Sequence, residues 1–180
     1  EHFNSLQADE NVQFLAVQAR QGDAEAALKL GMLTERGTGG APDFARAAEL
    51  YTFAAKAGLP QAQTRLGLLY EDGKGVPQSD DKAVKWLTKA AEQGYADAGR
   101  KLAEFYAYNK GMPSEAYAWL VLSLSALFPN VSNLVEGSPD LERLLNTMTP
   151  QQVEEGQKLA AHYAEVIRAN KKTQNRKKIP

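Results

Sequence analysis

Gly22, Gly58 and Gly94 stand 36 residues apart, and the residues around them keep that interval. Ala26, Ala62 and Ala98 follow it, as do Leu30, Leu66 and Leu102. Gly37 and Gly39 return as Gly73 and Gly75, and Ala47, Ala54 and Ala55 return as Ala83, Ala90 and Ala91. Leu30 to Gly58 aligns with Leu66 to Gly94 without a gap. A unit this short cannot bury its own apolar face, so a chain built from such copies must stack them.

Each copy reads as helix, glycine loop, helix and glycine stop. Ala62, Leu66, Leu69 and Tyr70 fall on one stripe of a first helix, and Ala83, Trp86, Leu87, Ala90 and Ala91 on one stripe of a second. Gly31 and Gly67, with Ala103 in the same register, and Ala98 are small where a neighbouring helix must come close. Gly58 and Gly94 sit where a left-handed cap closes a helix, and Asp43 and Ser79 sit where an N-cap opens one. Phe14 to Gly22 match Trp86 to Gly94 at twice the period, so residues 11–22 read as the lone second helix of an incomplete copy.

The third copy is shorter. Ala116, Trp119 and Leu120 correspond to Ala83, Trp86 and Leu87 at a spacing of 33, so the loop Asn109 to Pro113 has lost three residues. The helix that follows, Ala116 to Phe128, is apolar almost all round and needs cover on more than one side. After a turn-rich stretch from Pro129, Ser138-Pro139 opens a short helix with Leu141, Leu144, Leu145 and Met148 at helical spacing. Thr149-Pro150-Gln151-Gln152 is a capping box that opens a second, apolar on one face to about Arg168. The expected organisation is a flexible lead-in over 1–10, a half repeat over 11–22 and repeats over about 23–58, 59–94 and 95–128. Capping helices over 129–169 and a basic tail over 170–180 complete it.

Composition narrows the function classes. A formal charge of -1 gives no field that favours nucleic acid, and no apolar run reaches the ~18 residues of a membrane span. With no cysteine, disulfides, thiol nucleophiles and cysteine metal sites are excluded. The sequence carries no signal peptide and starts at Glu1, which suggests a mature exported chain or a trimmed one. The tail, with Lys171, Lys172, Arg176, Lys177 and Lys178, reads as a solvated end or a contact for an anionic surface.

The stretch A-x-x-x-L-G-x-x-Y-x-x-G-x-G-V-P followed by KAVKWLTKAAEQG resembles the Sel1-like repeat, a relative of the tetratricopeptide repeat. The likeness covers Asn11 to Leu127, and MTPQQVEEGQKLA is similar to the segment that follows the last repeat in bacterial members. The resemblance implies an all-α fold, an α/α solenoid wound as a right-handed superhelix with a C-terminal capping helix pair. It also implies a non-enzymatic adaptor that holds a protein or peptide in a concave groove, in a bacterial envelope process and in the periplasm or outside the cell, with the cytoplasm as the alternative. Some relatives staple each repeat with a disulfide and bind β-lactams; this chain departs from them in having no cysteine.

No catalytic or metal constellation stands out. Gly73-Lys74-Gly75 and Gly37-Thr38-Gly39-Gly40 follow helices and lack the GK[ST] ending of a phosphate loop, so they read as turns. His2 and His162 have no second histidine at i+4. Glu71-Asp72 and Asp80-Asp81 lie at a helix end and a helix start, and no serine sits in G-x-S-x-G. No cofactor, metal or nucleic acid is expected.

Carried over in register, the groove positions implied by the resemblance are Glu25, Leu28, Met32, Glu35 and Arg36 in the first repeat. The second contributes Gln61, Thr64, Leu68, Glu71 and Asp72, and the third Asp97, Arg100, Glu104, Ala107 and Tyr108. Two alternatives stay open at this point: an envelope hydrolase or small-ligand-binding protein, and a structural subunit that self-associates through the apolar helix.

Overall fold

The computed structural model describes residues 2–38, 40–127 and 138–177, and every regular element among them is helical. The chain falls into two units, residues 1–86 and 87–180, with the division inside one helix. The fold is all-α and of the α/α-solenoid class.

The first unit holds α1 (His2–Arg20), α2 (Ala24–Arg36), α3 (Phe44–Lys56), α4 (Pro60–Asp72) and the start of α5 (Asp80–Ala91). Successive helices pack on one another, α1 on α2, α2 on α3 and α3 on α4. Asp23 caps α2 through the N–H groups of Glu25 and Ala26, and Asp43 caps α3 through that of Arg46. The core between them is rich in alanine: Ala47, Ala54 and Ala62 have no exposed surface. Such small residues bring the helix axes close, and Gly31 goes further, since a Cβ there would stand 2.7 Å from the Tyr51 ring. Gly75 has a left-handed backbone (φ 71°), and a Cβ there would fall 2.2 Å from the Phe44 carbonyl carbon.

Tyr51 is fully buried, and its hydroxyl donates to the Glu35 carboxylate at 2.5 Å. Arg65 reaches the same carboxylate oxygen at 3.1 Å. One acidic side chain therefore ties together α2, α3 and α4. Burial first, and then the bond to Glu35, push the Tyr51 phenol far above its ordinary value.

The second unit holds the rest of α5, α6 (Ala96–Phe105), α7 (Pro113–Leu127), α8 (Pro139–Thr147) and α9 (Pro150–Lys177). As its apolar composition requires, α7 is covered on several sides, by α6, α8 and α9. Trp119 of α7 is buried and stacks on Tyr163 of α9 with ring centres 4.3 Å apart. Gly156 lets α9 come close, because a Cβ there would lie 2.7 Å from Tyr117 and 3.0 Å from the Ser114 carbonyl oxygen. The capping box forms as read: the Thr149 N–H donates to Gln152 Oε1 at 2.8 Å and the Gln152 N–H to Thr149 Oγ1 at 3.3 Å.

Four boundaries differ from the sequence reading. The lead-in over 1–10 is helical from His2, continuous with the half repeat. The basic tail is helical to Lys177 as part of α9, where Asn170 Nδ2 donates to the Glu92 carbonyl and Gln174 Nε2 to Gln93 Oε1. These bonds give the end of α9 something to lie on, which a reading from charge alone did not supply. A π-helical turn, Tyr106–Lys110, closed by Gly111, takes in the first two residues of the shortened loop, Asn109 and Lys110. The second helix of that copy starts at Pro113 rather than Ala116; the expected turn-rich stretch from Pro129 and the end at Phe128 lie outside the described residues.

Two outcomes follow from the first unit. Gly75→Ala lowers the stability to urea by at least about 1–3 kcal/mol, the usual penalty of a strained backbone, since the approach of Phe44 adds to it. Tyr51 holds its proton more tightly in the folded chain than in the unfolded one, so its contribution is complete below about pH 10 and declines as pH rises above that. Burial also raises Tyr106 and Tyr163, with the same sign. Urea midpoints measured across the alkaline range fall less steeply for Tyr51→Phe than for the parent.

Candidate functional site

The repeat register sorts the groove positions by what packing leaves over. Leu28 and its counterpart Thr64 are buried, Leu28 in the core and Thr64 with its hydroxyl donating to the Pro60 carbonyl at 2.8 Å. Neither faces a partner, which corrects their assignment to the groove. Alanine-lined helices sit so close that this position is drawn into the core. Glu35 is held by Tyr51 and Arg65, so its carboxylate serves the fold. Met32 packs in part against the core, and Gln61, Leu68 and Glu71 are half-buried. Glu25, Arg36 and Asp72 are exposed, Asp72 in an ion pair with Lys74 at 2.8 Å.

In the third repeat the position of Leu28 and Thr64 becomes Arg100, which is exposed. Arg100, Glu104, Ala107 and Tyr108 line a half-open cavity of about 540 Å³. Its other walls are Pro113 and Leu120 at the start and middle of α7, and Asp140, Arg143, Leu144 and Thr147 of α8. Asp97, exposed at the start of α6, is outside it. The π-helical turn adds a residue to the end of α6, and Tyr108 on that turn is 82% exposed. A large aromatic ring left this free at a cavity rim is the kind of group that anchors an interface.

The cavity floor is apolar, from Ala103, Ala107, Leu120 and Leu144. Its charges come as two pairs, Arg100 with Glu104 at 2.6 Å and Arg143 with Asp140 at 3.6 Å. Lys101 also reaches Glu104, at 2.6 Å, so neither carboxylate lacks a cation, and the site offers charge of both signs beside an apolar surface. Among the described residues no cluster of histidine or carboxylate ligands is placed to hold a metal ion. What the arrangement can do is accept an apolar side chain and align charged neighbours.

The α8 side chains were not among the groove positions because the register ends with the third copy. A signal existed in Leu141 and Leu144 at helical spacing: Leu141 is 1% exposed and anchors α8, which leaves Leu144 turned partly to the cavity.

A Sel1 repeat profile matches residues 24–59 and 60–95. The crystal structure of c5321, described as a protective antigen present in uropathogenic Escherichia coli strains displaying an SLR fold, superposes with a TM-score of 0.73 at 28% identity. The match covers 91% of this chain and 35% of that one, so the chain spans about a third of that relative. A Sel1 repeat protein from Oxalobacter formigenes is 33% identical over 62% of this chain and 87% of its own, with a TM-score of 0.57. No curated protein matches.

Packing and groove roles are separable by mutation. Leu28→Ala lowers stability by about 2–5 kcal/mol, as core truncations do, whereas Arg36→Ala in the same helix changes the urea midpoint little.

Proposed function

Because the chain belongs to the Sel1-like repeat family, whose repeats generally mediate protein–protein interaction, we propose that it is a binding module and that its third repeat is where a partner segment docks. The observation that carries this is the cavity between α6, α7 and α8, lined by Arg100, Glu104 and Tyr108 at groove positions of the repeat. The partner inserts an apolar side chain against Ala107, Leu120 and Leu144, packs beside the Tyr108 ring, and sets charges against Arg100 and Asp140. The same proposal makes the module an adaptor in a bacterial envelope process; the bacterial sources of the two similar structures support the bacterial setting.

Selection of binders from a randomised peptide display tests the site. Selected peptides share an apolar anchor, and Tyr108→Ala, Arg100→Glu and Leu144→Ala each weaken them by about tenfold or more, the scale of an interface hot spot. Arg46→Glu and Lys56→Glu on α3 leave binding unchanged. Loss of binding on changing α3 alone, with Tyr108 and Leu144 dispensable, refutes the placement.

A further inference from the structure

A second cavity, of about 180 Å³, opens in the second unit between the α5–α6 turn, α7 and α9. Its walls are mostly apolar, including Leu122, Ala126, Ala164 and Ile167. A cavity of about 150 Å³ with aliphatic walls is large enough for benzene, so this one has room for an aliphatic group of similar size. Its charged lining residues are Arg168 and Lys171, both exposed, and no carboxylate lines it. In this it differs from the larger cavity, where each arginine has its own acid.

The segment of α9 that carries the cations is held in place. Asn170 bonds the Glu92 carbonyl at 3.1 Å and Gln174 bonds Gln93 at 3.0 Å, pinning this stretch of α9 to the α5–α6 turn. Lys171 lies along Gly94, where a Cβ would meet its Cε at 2.6 Å. Neither Arg168 nor Lys171 has an ion-pair partner among the described residues.

Further donors stand beside them. Trp119 lines the cavity, and its buried Nε1 has no hydrogen-bond partner among the described residues. No side chain caps the start of α6, whose Ala96 is also in the wall. The Ser123 and Ser125 hydroxyls already donate to the Leu120 and Val121 carbonyls, so the donors left at the cavity are Arg168, Lys171 and the uncapped start of α6, and the two cations call for an anion.

We propose that this cavity binds a carboxylate carried on a short aliphatic group. The aliphatic part lies against Leu122, Ala164 and Ile167, and the carboxylate meets Arg168 and Lys171. Two sources share that chemistry: a free short-chain acid, and a chain terminus that ends in an aliphatic residue. The site is separate from the third-repeat groove, and its test is independent of that reading.

The full chain is titrated calorimetrically with 4-methylpentanoate and its amide, and with an N-acetylated hexapeptide ending in Val-Leu as free acid and as amide. The acids bind saturably at millimolar concentration or below, and each amide binds about tenfold more weakly or worse, as loss of a charged hydrogen bond requires. Arg168→Gln with Lys171→Gln weakens the acids to the same extent while helical content and melting hold. Ala164→Leu, which fills the cavity without touching the charges, also abolishes binding. A peptide acid tighter than 4-methylpentanoate assigns the site to chain termini, and the reverse order assigns it to free acids. Equal binding of acid and amide, no saturable binding of either acid, or unchanged binding by the double variant overturns the proposal.

Discussion

Close approach of helices at alanine and glycine is the constraint on which the rest of this structure depends. A helix pair of 36 residues has little depth, and it gains a core only by lying tightly against its neighbours. Gly31 admits the Tyr51 ring, and Gly156 admits α9 against Tyr117. The hydroxyl that Tyr51 carries inside then needs an acceptor, and Glu35 supplies it. A residue whose sequence position suggests a groove is thereby committed to the fold.

The same constraint explains why the third repeat differs. In the first two copies the position of Leu28 and Thr64 is drawn into the core, whereas Arg100 stays exposed at the wall of a cavity. A π turn that runs into the shortened loop carries Tyr108 outward, and α8 brings Leu144 and Arg143 to the opposite wall. The departure from the repeat, more than the repeat itself, makes the larger cavity.

Much of the fold was legible because its signals are local and recur. The caps at Asp43 and Ser138, the box at Thr149 and Gln152, and the glycine stops depend on a few residues that the period repeats or the turn chemistry names. The span of α9 was not legible past Arg168, because Asn170 and Gln174 gain their partners from the α5–α6 turn, far away in sequence. Groove positions were legible as positions but not as surfaces. Leu28 and Arg100 share a register and differ in burial, since burial depends on what the neighbouring helix presents. Leu144 and Arg143 lay beyond the reach of a register that stops before α8.

Amide hydrogen exchange, measured with and without a saturating peptide obtained by display, tests most directly the claim that the third repeat and α8 form the binding site. Protection that rises within residues 100–113 and 140–147, with the amides of α2 and α4 little changed, is the predicted result. Protection confined to α2 and α4, with residues 100–113 and 140–147 exchanging as in the free chain, would contradict it.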